Sequence, residues 1–260
     1  MKILHVAPIN VAGVPFSMMQ MQRRFGKEAR LVTLHRNTFT FPEDICLDLP
    51  LPRNLLAQLW RDVKRRRSES MTRGAEPRSS PLLVSKPRNV FESAYFQFDD
   101  WRRESVVNKA LKDLDLESFD IIHYDGGLDF FRDGRIAQRW KRQEKKIVCH
   151  YLGSDLRVRG IDSTMDGLSD LNLTNESDHL LRHPDIHYIF IPFDCSPYPF
   201  RTSENKRLRI IHSPSNRNMK GTRFILPVIH NLQKVRDVEF VLVERTPHDQ
   251  VIKVKQTCDI

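Results

Sequence analysis

Cysteine is scarce and scattered: Cys46, Cys149, Cys195 and Cys258 are the four in 260 residues. No Cys-x-x-Cys pair and no histidine-rich partner accompanies them. A zinc-finger pattern and a disulfide framework are therefore excluded, and the four read as reduced thiols. Long apolar runs are missing too. None approaches the ~20 residues of a membrane span, and Met1 to Ala7 has no signal-peptide core, so the expectation is a cytoplasmic protein. The first loop lacks G-x-G-x-x-G and no acidic ribose ligand follows it, which disfavours a dinucleotide oxidoreductase. There is no internal repeat of solenoid length.

What is there is a globular composition, 40% hydrophobic, with a basic excess of +9 that has an address. From Arg53 to Arg88 there are ten Lys and Arg against three Asp and Glu, which accounts for +7 of it. Five serines and three prolines in the same stretch fit neither helix nor strand periodicity, so it reads as an excursion from the first domain. Leu55, Leu56, Leu59, Trp60 and Val63 recur at helical spacing beside Arg61 to Arg67. That combination suits an anionic membrane surface, where each cation gains ~1 kcal/mol. A solvated loop is the plain alternative. Nucleic acid is not expected, because no recognition motif accompanies the charge.

Short apolar runs alternate with helical spacing along the chain. Strands are expected at Lys2 to Pro8, Arg30 to His35, Phe119 to Tyr124, Lys145 to His150, Leu171 to Thr174 and His187 to Ile191. Helices are expected at Phe16 to Phe25 and Gly134 to Gln143. This is the pattern of an α/β fold with a parallel sheet. Three prolines in Pro192 to Pro199 and the polar Ser203 to Lys206 then break the periodicity. The division expected is a first domain over 1–191, a linker over 192–206 and the start of a second domain over 207–260. In that last part Leu208 to His212 and Val238 to Val243 read as strands, and Phe224 to Lys234 and Val251 to Lys255 as helices.

The segment from Ile210 to Thr222 carries the most chemistry. Arg217 and Lys220, three residues apart, sit where a strand gives way to a helix, and Gly221 allows close backbone approach. Free N–H groups and the positive end of the helix dipole favour an anion there, and two cations suit a diphosphate. The plain alternative is a basic helix start on a solvated surface. Its position at the opening of an α/β unit favours the ligand.

Several stretches together resemble the group 1 family of retaining, nucleotide-sugar-dependent glycosyltransferases. They are Met1 to Pro8 with Ala12-Gly13-Val14-Pro15, Asp120-Ile121-Ile122-His123, His150 to Arg157, Ile191 to Asp194, and above all His212 to Thr222. The resemblance implies two Rossmann-like domains of GT-B type, the second incomplete. It implies transfer of a hexose-type sugar from a nucleoside diphosphate to a glycan or lipid-linked acceptor, at the inner face of the membrane for some acceptors. Arg217 and Lys220 would bind the donor diphosphate, with Gly13 letting the first loop approach it. Ala12 stands where the family commonly has another glycine. His150 would face the transferred sugar, although Tyr151 and Leu152 are inserted before Gly153-Ser154-Asp155. His123 and Asp155 would lie on the acceptor side, with Asp155 and Arg157 as a loop ion pair in the plainer reading. Histidines at strand ends also commonly cap or pack.

No cofactor and no metal are expected, because cations and helix ends neutralise the leaving group in this family. The family's paired glutamates are not reached by the 38 residues that follow Thr222. A chain cut inside the donor domain would bind donor poorly and be inactive alone. The alternative of a different class is a catalytically silent binding or scaffold module that keeps the fold.

Overall fold

The apolar runs at the start of the chain become the middle of a parallel sheet. In the computed structural model, which describes residues 1–37, 41–49, 90–153, 155–195, 205–218 and 220–260, side chains of Glu92, Val158 and Arg159 excepted, β1 is Lys2–Ala7. The basic stretch 53–88, with its membrane-surface reading, and linker residues 196–204 lie outside the described residues. Two compact units emerge, Met1–Asn37 with Pro42–Phe193 and, beyond them, one built on Asp194–Ile260.

The first unit is a seven-stranded parallel sheet in the order β3-β2-β1-β4-β5-β6-β7. The strands after β1 are β2 (Glu28–Thr33), β3 (Ile45–Cys46), β4 (Ile121–Asp125), β5 (Lys146–Tyr151), β6 (Leu171–Thr174) and β7 (Ile186–Tyr188). The order reverses between β1 and β4, and the crevice outside the carboxyl ends at such a reversal is where open α/β sheets take ligands.

Alternation assigns the two faces. Leu4, Val6, Ile122, Tyr124, Ile147, Cys149 and Tyr151 belong to one large core. It is covered by α2 (Val90–Asp113), α3 (Arg135–Arg142) and α4 (Ser163–Leu168), through Val107, Leu111, Ile136, Trp140 and Met165 among others. The opposite face carries Ile3 and Ala7, packed with Met19 of α1 (Val14–Arg24) and with Ala29 and Leu31. The helix start at α3 is satisfied from a distance. Gly134 offers no side chain, and Asp129 Oδ2 accepts from Ile136 N at 2.9 Å and Ala137 N at 3.3 Å instead. Tyr124 Oη donates to its other oxygen at 3.2 Å.

Helix α2 was not expected from periodicity. Its buried stripe is confined to Val107, Ala110 and Leu111, while Phe91, Phe98 and Trp101 are exposed. Buried Asp99 and Asp100 tie its middle to the segment after β4 instead, Asp99 to the Arg132 guanidinium at 3.8 Å and Asp100 to the Arg132 amide at 3.3 Å.

In the second unit β8 (Leu208–His212) runs parallel to β9 (Val238–Leu242), joined by α5 (Thr222–Val235) and followed by α6 (His248–Lys255). The other side of β8 is also paired: Ile211 N donates to Ile260 O at 2.8 Å and Asp259 N to Arg209 O at 2.8 Å. Asp259 and Ile260 thus lie beside β8. Among the described residues no helix is long and apolar enough to cross a membrane.

Candidate functional site

The cations of the second unit sit before a helix, not on it. Strand β8 ends at His212, and α5 begins only at Thr222, with Gly221 at its cap in the left-handed region (φ 65°). Arg217 and Lys220 therefore occupy the turn ahead of the helix, closed by Lys220 N to Asn216 O and Thr222 N to Arg217 O, both 3.0 Å. The helix start is set by Gly221, whose left-handed backbone caps it there.

The two cations differ in their surroundings. Arg217 is forked onto Glu244, just past β9, with Nε and Nη2 each 2.6 Å from a carboxylate oxygen. Lys220 is exposed, and its ammonium makes no ion pair among the described residues. It lines an open cleft of about 690 Å³ with His212, Ser213, Pro214, Lys255 and Asp259 among others. His212 is fixed by Thr222, with Nε2 and Oγ1 2.8 Å apart. Sequence reasoning missed Lys255, which lies 35 positions from Lys220 and is brought to the same cleft by the return of α6.

In the first unit Gly13 caps α1 with φ 76°, and Ala12 before it is also left-handed at φ 51°. Ala12 thus holds a backbone conformation that glycine enters freely. Below this loop the structure brings together His123 and His150, and joins to them two residues the sequence did not single out, His5 and Asp125. The parallel register pairs His5 with His123 and Asp125 with His150. All four point to the α1 face and all are buried, at 0–3% exposure. The rings of His5 and His123 stack with centroids 4.3 Å apart, and His150 meets His123 edge-on at 5.3 Å. Asp125 lies 3.5 Å from His5 Nδ1, 3.7 Å from His150 Nδ1 and 4.0 Å from His123 Nε2. Burial opposes its ionisation, but the imidazoles of His150, His5 and His123 outweigh it and hold the carboxyl well below the usual range. Burial first, and then neighbouring His5, push His123 well down, so it is neutral. A histidine inside each of three apolar strand sequences was the available signal. The partnership itself is set by register.

Asp155 and Arg157 are not partners. Asp155 closes its own loop, accepting from Leu152 N at 2.8 Å while its N–H returns to Leu152 O at 2.8 Å. Arg157 instead forks onto Asp178 and Glu176, pinning the stretch after β5 to the 3-10 turn Ser177–Leu181. The Arg157 guanidinium holds the Asp178 carboxyl down at about 2. His179, made neutral chiefly by burial, bridges Thr174 Oγ1 at 2.8 Å and Gly153 O at 3.1 Å. The loop that carries Asp155 is thus tied at both ends.

No protein-family model matches the chain, and no curated protein matches it. Among solved structures, the spinosyn rhamnosyltransferase SpnG complexed with thymidine diphosphate is similar at a TM-score of 0.45 and 12% identity, over 99% of this chain and 74% of that one. The glycosyltransferase of kitacinnamycin is similar at a TM-score of 0.43 and 13% identity, over 93% of this chain and 65% of that one. Both likenesses are distant, and the chemistry is read from this chain's own residues.

Proposed function

We propose that the chain belongs to a retaining glycosyltransferase of GT-B type, and that its second unit takes the diphosphate of a nucleotide sugar. The observation that carries this is Lys220: an exposed ammonium without an ion pair, lining an open cleft at the carboxyl end of β8, directly before the cap of α5. Phosphate oxygens there meet Lys220 and Lys255, and a helix start adds its amides and the positive end of its dipole. In this reading Arg217 exchanges Glu244 for the second phosphate. These cations stabilise the charge that develops as the nucleotide leaves, and no divalent ion is assigned to the cleft.

The first unit supplies the acceptor side in this proposal. Gly13 borders the crevice after β1, Asp155 shapes a fixed loop after β5, and His150 and His123 lie beneath the surface. Such an arrangement suits a glycan or lipid-linked acceptor. Peripheral attachment to an anionic membrane through Arg53 to Arg88, from the cytoplasmic side, stands as a further part of the same proposal.

One observation favours the silent binding module as a second reading: Arg217 is already satisfied by Glu244. Calorimetric titration with uridine, guanosine and thymidine diphosphates decides between them. The transferase reading expects one of these to bind, and Lys220→Ala to weaken it by about tenfold or more, the worth of a charge-assisted hydrogen bond. Binding unchanged by the substitution removes the phosphate role of Lys220. A chain that binds none of the three supports the silent module.

A further inference from the structure

Three parallel strands each turn one histidine toward α1 near the reversal of the sheet, and one aspartate lies among them. We propose that His5 Nδ1, His123 Nε2 and the Asp125 carboxylate together bind a divalent transition metal, zinc by the chemistry of the donors, in a structural site that cross-links β1 and β4.

The geometry is close to what zinc needs. The three donor atoms lie within 4.8 Å of one another, and all three residues are buried. Zinc bonds of ~2.0–2.1 Å in a tetrahedron set donor atoms about 3.3 Å apart. The contacts of Asp125 Oδ2 to His5 and of Oδ1 to His123, 3.5 and 4.0 Å, are somewhat wider, and the stacked rings must swing apart for both lone pairs to meet one ion.

Hydrogen bonding points the same way. Gln22 of α1 meets His5 Nε2 at 2.9 Å, and in the tautomer where that nitrogen donates to the amide oxygen, Nδ1 is left to bind an ion. In that tautomer Nδ1 offers a lone pair to an ion beside an Asp125 oxygen 3.5 Å away, whereas in the other it donates to that oxygen and favours its ionisation. Two acceptors aimed at each other in a sealed site repel unless a cation lies between them. Among the described residues His5 Nδ1, His123 Nε2, both Asp125 oxygens and both His150 ring nitrogens lack a hydrogen-bond partner, so unsatisfied buried polar atoms gather here.

Two imidazoles and a carboxylate suit zinc, where calcium and magnesium take oxygen ligands. The surroundings also supply the outer contacts that metal ligands use. Gln22 meets the far nitrogen of His5, and His150 Nδ1 stands 3.7 Å from Asp125 Oδ1, close enough for an outer contact to the carboxylate. The site lies wholly in the first unit and is independent of the diphosphate cleft. It also revises the expectation from sequence that the chain has no metal site, because residues 5, 123 and 125 share no spacing that a sequence motif would show.

The test begins with the unaltered full chain, purified from zinc-supplemented medium and analysed by plasma mass spectrometry. One zinc per chain is expected, with a fall in melting temperature on chelation that added zinc reverses. Cobalt(II) added to the chelated chain should give the visible absorption of nitrogen and oxygen ligation, a water completing the three protein donors. His5→Gln and His123→Gln should weaken zinc binding by more than about tenfold, while His187→Gln, at an exposed position, should leave it unchanged. A chain that holds no zinc, takes up none and melts at the same temperature with and without it overturns the proposal. So does zinc binding that the His5 and His123 variants retain in full. Because the unaltered chain carries the metal count and the melting shift, a variant that fails to fold does not decide the matter.

Discussion

Arg217 and Glu244 meet fork to fork, two contacts of 2.6 Å joining the turn after β8 to the end of β9. The pair is solvent-exposed on the Arg217 side, so holding it contributes little to stability and an incoming phosphate displaces it at small cost. Glu244→Gln should therefore tighten nucleoside diphosphate binding by roughly twofold to fivefold, with the gain disappearing at high salt. Weaker binding by the variant in calorimetry would mean that Glu244 positions Arg217 for the ligand.

The turn after β4 is set against an aromatic ring. Gly127 has φ 61°, and a Cβ there would stand 2.8 Å from the Tyr151 ring. Gly127→Ala combines a left-handed alanine with overpacking against a fully buried side chain, for an expected loss of roughly 2–4 kcal/mol. Urea denaturation measures it; a variant as stable as the parent shows that the ring can move aside.

Ala12 offers the opposite change. At φ 51° and exposed, it bears a Cβ in a region that glycine enters freely. Ala12→Gly should relieve roughly 1 kcal/mol of strain and raise the melting temperature by about 2–4 °C. An unchanged or lower melting temperature would show that the loop is not held in this conformation.

Asp129 sets a slope of stability with pH. Burial lifts its carboxyl to about 6, overcoming the bonds from Phe130, Ile136, Ala137 and Tyr124 that favour ionisation. A pKa above the unfolded value means that its contribution is complete below about pH 4 and fades as pH rises through about 6. Asp129→Asn, uncharged throughout, should lose that slope, so the variant gains on the parent between pH 4.5 and 7.5. Parallel profiles in denaturant titrations at the two pH values would exclude Asp129 as the source.

The architecture is legible where local pattern and burial agree. The run Lys2–Ala7 is apolar over most of its length, buried from Ile3 on, and is a strand, and Lys146–Tyr151 behaves likewise. Helix α2 is not legible, because Phe91, Phe98 and Trp101 lie on its exposed face while Asp99 and Asp100 are buried, which inverts the pattern in its first half. The two-residue β3 is too short to carry any period and exists through its pairing with Val32 and Thr33. At the sites, Lys220 is marked by the glycine that follows it and the strand before it. Lys255 reaches the same cleft only through the path of α6. His5 and Asp125 become partners of His123 and His150 only through register, a relation between segments more than a hundred residues apart that no local spacing encodes.

The central position of β1 has a consequence for how the protein is made. One edge of β1 pairs with β2, within reach as soon as the first βαβ unit is complete, but its other edge waits for β4, a separation of 118 residues in the bond from Lys2 N to Asp120 Oδ2. Contacts so distant in sequence carry a large loop-closure cost and form slowly. On the ribosome the open flank of β1 stays unpaired for about six to twenty-four seconds at ordinary elongation rates. The pocket of histidines at that seam is therefore among the last parts of the first unit to assemble, and a ligand that binds there acts on the final closure of the sheet.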